Sequence, residues 1–314
     1  MISSLELARL CGVSQGTVDR ALHDRAGISE ETRRRILAAA AKHGYRANPA
    51  VMEVLRGTSA TVGALIPRIN HVFFLDLLEE VRAAIAPRGL RLLLTAAGTT
   101  SEFHDALAEF AARRTVAALV VPPTDDIAIA PTVSRSMPVV CFASPCTGVN
   151  VHYLTPDEVT TGRAATEHLL ARGHHRILHL TYERRSRAII DRADGYRAAM
   201  RVARCESTVF TDSAGESILA RVSAARATAL FCHNDWLALS AIRTLTGAGL
   251  RVPQDVSVLG VDASPTFTAL YPGITTFSYP FAALAAQTAL LIAGKSAGAA
   301  PTCALVAGTT VADA

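Results

Sequence analysis

SLELARLCGVSQGTVDRAL, residues 4–22, predicts two short helices around a tight turn and decides the fold of the N-terminal part of the chain. Ser3 and Glu6 form a capping box, which starts a first helix directly after Ser3. Gly12 ends that helix. Ser14 is a good N-cap for a second helix, because its side-chain oxygen accepts a hydrogen bond from an otherwise unpaired amide.

One face of the second helix is polar and is not required for packing the helix against its neighbours. We expect Gln15, Gly16 and Arg20 to point outward, with Ser14 and Thr17 at the start of the helix. A helix, a turn with glycine and a second helix with exposed amide and guanidinium groups is the arrangement that reads base edges in the major groove. Two helices and a glycine also occur in other small helical domains, so the motif alone leaves that alternative open.

A third amphipathic helix is predicted from Ser29 to Gly44. With it, the first forty-five residues resemble the lac repressor and galactose repressor family of bacterial transcription regulators. The residues that carry the resemblance are Ala8, Gly12, Val13, Ser14, Thr17, Val18, Arg20, Ala21, Leu22, Gly27, Ile28, Ser29, Glu31, Thr32, Arg33, Gly44 and Tyr45.

The resemblance implies an α + α/β chain with three parts. Residues 1–45 would form a three-helix, helix-turn-helix DNA-binding head, and residues 46–59 a hinge helix and linker. Residues 60–314 would form a two-lobed, parallel α/β core like a periplasmic binding protein, which binds an effector and forms a homodimer. The end of the chain lacks a leucine heptad tail, which favours a dimer over a tetramer.

Composition and charge agree with this organisation. The first 57 residues hold nine Lys or Arg against six Asp or Glu, and so carry +3 of the formal +4, where phosphate contact is expected. No run of about twenty apolar residues and no leader is visible, so we expect a cytoplasmic protein without membrane contact. The six cysteines form no CxxC pair, which favours reduced thiols and argues against a metal site.

The predicted hinge begins at Asn48, an N-cap before a proline at the first helical position. In the resembled family this segment folds when two subunits pair on the operator, and a leucine from each enters the central minor-groove step. Alignment from Tyr45 puts Val54 at that wedge position and Leu55 one residue later. We therefore assign the wedge to Val54 or Leu55, and leave the choice open.

Beyond residue 60 short apolar strands alternate with amphipathic helices, which predicts right-handed crossovers and parallel sheets with helices on both faces. Strands are predicted at 62–67, 90–96, 117–121, 138–142, 149–153, 177–181, 229–232, 256–261 and 303–306. Helices are predicted at 74–88, 102–113, 158–172, 192–203, 235–248 and 281–293. Two lobes would be joined near residues 153 and 275.

The resemblance also marks residues that would bind the effector where parallel strands end. They are His71, Phe73, Phe74, Asp157, Arg192, Asn234 and Asp262. A guanidinium fork, a carboxylate, an amide and an aromatic ring can together recognise a hydroxylated ligand such as a sugar. Phe74 could equally belong to the core, and Asp235 is expected to be a helix N-cap.

The sequence thus predicts a ligand-responsive regulator, expected to be a repressor, that binds a pseudo-palindromic operator as a dimer and responds to a sugar or related molecule. A nucleobase or sugar-acid effector and a sugar-binding protein without a DNA role are the alternatives. An enzyme is disfavoured, because phosphate-loop, dinucleotide, G-x-S-x-G and H-E-x-x-H motifs are missing. No cofactor is expected.

Overall fold

The computed structural model divides into two compact units, Met1–Ser59 and Ala60–Ala314. It describes residues 2–22, 24–45, 59–69, 72–183, 186–211 and 216–314. Four of the predicted site residues, Asn48, Val54, Leu55 and His71, lie outside these ranges. Among the described residues no helix is long and apolar enough to cross a membrane.

The first unit contains the three predicted helices, α1 (Ser4–Cys11), α2 (Gln15–Leu22) and α3 (Glu30–Lys42). Ser3 and Glu6 form the predicted capping box, and Gly12 ends α1 in the left-handed conformation with φ +61°. The Ser14 hydroxyl accepts the Thr17 N–H at 3.2 Å, so it caps α2 as predicted. Leu7, Val18 and Ile36, one from each helix, are fully buried. The unit therefore has an apolar centre of its own.

The second unit alternates strands and helices along its whole length. In chain order its elements are β1 (Thr61–Ile66), α4 (Val72–Ile85), β2 (Arg91–Ala96), α5 (Thr100–Ala112), β3 (Ala117–Val120), β4 (Ile127–Ala128), α6 (Pro131–Ser134), β5 (Val139–Cys141), β6 (Cys146–Thr147), β7 (Val151–Tyr153), α7 (Glu158–Leu170), β8 (Ile177–Thr181), α8 (Arg187–Val202), β9 (Thr208–Thr211), α9 (Glu216–Ala225), β10 (Ala229–Cys232), α10 (Asp235–Gly247), β11 (Ser257–Asp262), α11 (Pro265–Leu270), β12 (Thr275–Ser278), α12 (Phe281–Ile292) and β13 (Ala304–Val306).

Two sheets form the two predicted lobes. The first is parallel throughout, in the order β2-β1-β3-β5-β7. The second has the order β13-β12-β11-β10-β8-β9, with only the edge strand β13 antiparallel among the described strands. Sequence periodicity missed β4, β6, β9, α9 and α11.

The chain passes between the lobes three times, once more than predicted. The first passage follows β7, near residue 153 as expected. Strand β12 belongs to the second sheet, so the second passage lies after Ser278. Helix α12 packs its Leu284 in the core of the first lobe, and the chain then returns to β13 in the second. These three connecting segments join the lobes, and a cleft lies between them.

Helices α7 and α8 cross in unusually close contact because each has a glycine at the crossing. A Cβ on Gly162 would overlap the carbonyl oxygen of Arg192, and one on Gly195 would overlap the carbonyl oxygen of Val159. The absence of both side chains lets the two backbones touch. This contact places the start of α7 beside the cleft-facing part of α8.

We predict that Gly162→Ala and Gly195→Ala each lower the free energy of unfolding by about 1–3 kcal/mol, because backbone atoms cannot move aside cheaply. Urea unfolding of the full chain measures this. Gly247→Ala is the matched control, since nothing lies within 4 Å of a Cβ there. We expect no loss of stability for that control; equal losses in all three variants would contradict the interpretation.

Candidate functional site

The outer face of α2 carries the residues that were predicted to meet DNA. Ser14, Gln15, Gly16 and Arg20 are exposed, and Thr17 is half-buried. The opposite face of α2 packs into the centre of the three-helix unit. The structure therefore brings these five residues together on one accessible surface.

Local hydrogen bonds fix the start of this surface. The hydroxyls of Ser14 and Thr17 are 2.9 Å apart, and the Gln15 amide donates to the hydroxyl of Ser4 on α1 at 2.6 Å. The last contact joins the two helices at the turn and orients Gln15. A base edge would be approached by a side chain that is already held in place, which lowers the entropy lost on binding.

Basic residues of α3 divide into two groups. Arg33 is largely buried, pairs with Asp24 and Glu30, and donates to the carbonyl oxygen of Arg25 at 3.0 Å. It therefore serves the packing of its own unit. The exposed cations of this helix are Arg34, Arg35 and Lys42, which can meet backbone phosphates.

A cavity of about 500 Å³ lies between the two lobes of the second unit. The first lobe and its connections contribute Pro67, Phe73, Phe74, Val121, Pro122, Ala143, Ser144 and Tyr279. The second contributes Glu158, Thr181, Tyr182, Glu183, Ser186, Ala188, Ile189, Arg192, Thr211, His233, Asn234, Trp236, Leu237, Ser240 and Asp262. Its size and mixed lining suit a small polar molecule.

A buried ion pair forms part of the cavity wall. Arg192 Nε and Nη2 donate to Glu158 Oε2 at 2.9 and 2.6 Å, and Nη1 donates to the carbonyl oxygen of His233. The two charged side chains are only 3% and 1% exposed. Burial raises the pKa of Glu158, and the Arg192 charge opposes that rise. Burial opposes the charge of Arg192 as well, but nearby carboxylates outweigh it and raise its pKa.

Two neighbouring carboxyl groups lie at the ends of β10 and β11. Asp262 lines the cavity, and its Oδ2 is buried without a hydrogen-bond partner among the described residues. Burial and the charge of Asp235 raise the pKa of Asp262 well above its ordinary value. Burial also raises the pKa of Asp235 to about 7. Asp262 therefore holds a proton to higher pH than an exposed aspartate does.

The prediction that Asp235 caps α10 is wrong. Asn234 is the N-cap, and its Oδ1 accepts the Leu237 N–H at 3.1 Å. The same oxygen accepts the Tyr182 hydroxyl at 3.0 Å. Because Oδ1 is used twice inside the protein, Asn234 offers the cavity its amide donors.

Aromatic rings line the opposite wall. The Phe73 ring stands edge-on to Phe74 and Tyr279, with centroids 5.1 and 4.7 Å away. Phe74 is buried in the core of the first lobe and also borders the cavity, so both of its predicted locations apply. Ring faces next to hydrogen-bonding groups suit a ligand with apolar and polar sides.

Asp157 does not line the described cavity, contrary to prediction. Its carboxylate caps α7, accepting the backbone N–H and the hydroxyl of Thr160 at 2.8 and 2.6 Å. The inward-facing acid is its neighbour Glu158, which sequence reasoning missed. The spacing of Asp157 and Thr160 fits an N-cap, and that signal could have reassigned the two acids.

Comparison with known proteins agrees with this arrangement. Residues 5–48 match the model of bacterial regulatory proteins, lacI family, and residues 166–311 match the periplasmic binding protein-like domain. The chain thus carries a LacI-family DNA-binding domain followed by a periplasmic binding protein-like domain. It is a helix-turn-helix transcriptional regulator, and its fold is the one expected from the sequence.

Curated relatives and solved structures of the LacI family align over most of the chain. The HTH-type transcriptional regulator GntR of Pseudomonas aeruginosa is 28% identical over 92% of this chain and 89% of its own. The lac repressor dimer bound to operator and the anti-inducer ONPF has a TM-score of 0.85 and 21% identity, covering 99% of both chains. The complex of the regulator CelR with cellobiose has a TM-score of 0.66 and 24% identity, covering 99% of this chain and 100% of that one.

We predict that Glu158→Ala lowers the free energy of unfolding by about 3–5 kcal/mol, because it leaves the Arg192 charge buried without its partner. Chemical denaturation of the second unit within the full chain measures the change. Glu79→Ala, which breaks an exposed pair with Arg82, is the control and should have little effect. A similar loss of stability for both variants would refute the distinction between the buried and the exposed ion pair.

Proposed function

We propose that this LacI-family regulator represses transcription from a pseudo-palindromic operator, as a homodimer, and that a neutral sugar or similar polyol changes its operator affinity. The observation that carries the proposal is the cavity between the lobes, joined in one chain to a helix-turn-helix head. The operator and dimer in the lac repressor structure and the cellobiose in the CelR complex support it by analogy.

The charges of the described cavity lining favour a neutral ligand. Arg192 is the sole Lys or Arg in that lining, and Glu158 already neutralises it. His233 is buried, which holds its pKa well below the ordinary value, so it adds no positive charge at neutral pH. Among the described lining residues, a sugar acid or phosphate would find no unpaired cation. Hydroxyl groups can instead use Asp262 and Asn234.

Binding can act on the lobes because several hydrogen bonds already cross between them. Ala188 N–H at the start of α8 donates to the carbonyl oxygen of Ala143 at 3.0 Å, and Arg187 N–H donates to Asp125 at 3.2 Å. A ligand that binds one lobe arrangement more tightly shifts the population toward it. In the proposed dimer, that shift changes the distance between the two hinge segments and hence the operator affinity.

We predict that Arg20→Ala relaxes sequence preference at one base pair in each half-site. A guanidinium fork fits two acceptors of guanine, and such a contact is worth about 1–3 kcal/mol of discrimination. Lys42→Ala should weaken binding to all sequences alike, because a phosphate contact carries no base identity. Quantitative gel shifts with an operator and single-base variants test both. The same uniform loss for the two variants would contradict the assignment.

We predict that a neutral sugar raises the melting temperature of the purified protein, because a ligand that binds the folded state stabilises it. A thermal-shift screen would compare D-glucose, D-galactose, D-ribose, D-xylose and cellobiose with their acid or phosphorylated counterparts and with nucleobases. A response confined to acids, phosphates or nucleobases would overturn the neutral-ligand assignment. Asp262→Ala should abolish the response to the sugar that is found, because it removes the carboxyl group assigned to the ligand hydroxyls.

A further inference from the structure

The turn Asp262–Ser264 has an unusual backbone. Asp262 has φ +127° and Ala263 has φ +48°, so two successive residues with side chains adopt positive φ. L-residues rarely adopt such angles, and a folded protein keeps them only where surrounding contacts hold the backbone. Two residues at positive φ cost conformational free energy, which suggests that the direction of the turn matters for function.

Three hydrogen bonds hold this turn. The Tyr279 N–H donates to the Asp262 carbonyl oxygen at 2.8 Å, and the Ala263 N–H donates to Asp235 Oδ2 at 2.8 Å. The Ser264 hydroxyl donates to the Asp76 carboxylate on α4 of the first lobe. Ser264 precedes α11 but makes no side-chain cap to it. Its hydroxyl therefore serves the contact between the lobes.

The Asp235 carboxylate is buried and bonded to other protein groups, and it does not face the cavity. Its Oδ1 accepts the Thr276 hydroxyl at 2.6 Å, and the residue is fully buried. Gly260 leaves the necessary space, since a Cβ there would overlap Oδ1. Both oxygens of Asp235 are thus occupied, and Asp235 does not line the described cavity. Asp262, on the same turn that Asp235 holds, does.

We propose that Asp235 is a positioning residue for effector recognition, which fixes the Asp262–Ser264 turn so that Asp262 meets the ligand while Ser264 reaches Asp76. This role rests on the proposed function. One short turn then carries both the ligand contact and a hydrogen bond between the lobes. A ligand that pulls on Asp262 acts directly on the Ser264–Asp76 contact.

The charge of Asp235 has a second effect on its neighbour. Asp235 accepts two hydrogen bonds that stabilise its ionised form, whereas Asp262 Oδ2 has none among the described residues. The charge of Asp235 raises the pKa of Asp262, and of two buried carboxyl groups that repel each other one keeps a proton. Asp262 is therefore the group that keeps the proton. Its carboxyl group then presents one O–H donor and one acceptor to a hydroxylated ligand. The other ionisable groups that face it are Glu158, Arg192, Asp76, Tyr182 and Cys303.

Asp235→Asn separates charge from geometry. Its amide oxygen can accept the Ala263 N–H, and its NH₂ can donate to the Thr276 hydroxyl, so both contacts remain, the second with its direction reversed, while the charge is lost. Asp235→Ala removes the hydrogen bonds as well. Asp255→Asn is the control, because Asp255 forms a partly exposed pair with Arg251 and is not among the residues that line the described cavity.

The first measurement needs no ligand and follows melting temperature from pH 4 to pH 8. A carboxyl group whose pKa is raised by folding contributes stability at low pH that is lost as pH rises, between about 4 and 7 for Asp235. Relative to wild type, Asp235→Asn should therefore gain stability as pH rises. Asp255→Asn should differ from wild type by a nearly constant amount across this range, because hydrogen bonds from Arg251 lower the pKa of Asp255 to about 2 and its titration is complete at lower pH. A flat difference for Asp235→Asn would overturn the charge coupling.

The second measurement uses the neutral sugar that gives the largest thermal shift with the wild type. The affinity of the wild type for this sugar should fall as pH rises, because Asp262 then loses its proton. Asp235→Asn should bind as wild type does at pH 6 within about twofold, with the fall displaced to lower pH. Asp235→Ala should weaken binding by about tenfold or more at every pH, because the turn loses its anchor.

The outcomes separate this role from the proposed function. If no neutral sugar shifts the wild type, the effector assignment fails, while the ligand-free pH series still decides whether Asp235 controls the proton on Asp262. If the wild type binds a sugar and both Asp235 variants bind it with an unchanged pH profile, the positioning role is wrong and the proposed function stands.

Discussion

A guanidinium buried at the border of two lobes must be neutralised, and the second unit is organised around that requirement. Arg192 on α8 is paired with Glu158 at the first turn of α7. The pair can form only because Gly162 and Gly195 let the two helices touch. Removing a charge from water is costly, and close partners in fixed geometry offset the cost. The position of α7 and α8 and the wall of the cavity therefore depend on one electrostatic constraint.

The same constraint shapes what the cavity can recognise. Because the Arg192 charge is already compensated, hydrogen bonding and ring contact are left as the means of selecting a ligand. One buried polar atom of the lining without a partner among the described residues is Asp262 Oδ2; Glu158 Oε1, Thr181 Oγ1 and His233 Nδ1 are others. Buried polar atoms are seldom left unsatisfied, and exceptions tend to mark places where something else binds. A hydroxylated molecule between the lobes would satisfy Asp262 Oδ2.

The two units meet different physical demands. The three-helix unit presents a polar helix face whose side chains are held by short local contacts, such as that between Gln15 and Ser4. The larger unit presents a concave site whose walls belong to different lobes and are joined by hydrogen bonds that a rearrangement would break or strengthen. A rigid reading surface and an adjustable cavity are what a ligand-controlled DNA-binding protein needs, because affinity can change without altering the residues that read sequence.

The sequence by itself determined the helix-turn-helix unit, the alternation of strands and helices and the general location of the cavity. Capping residues such as Ser3 act over three or four positions, and hydrophobic periodicity marks the buried faces directly. Tertiary structure decided that Glu158 and not Asp157 faces the cleft, that Asp235 supports a turn 28 residues later, and that the chain passes between lobes a third time. Those outcomes depend on how closely two helices approach and on which distant groups share a buried space. Neither is encoded in the spacing of residues along one segment.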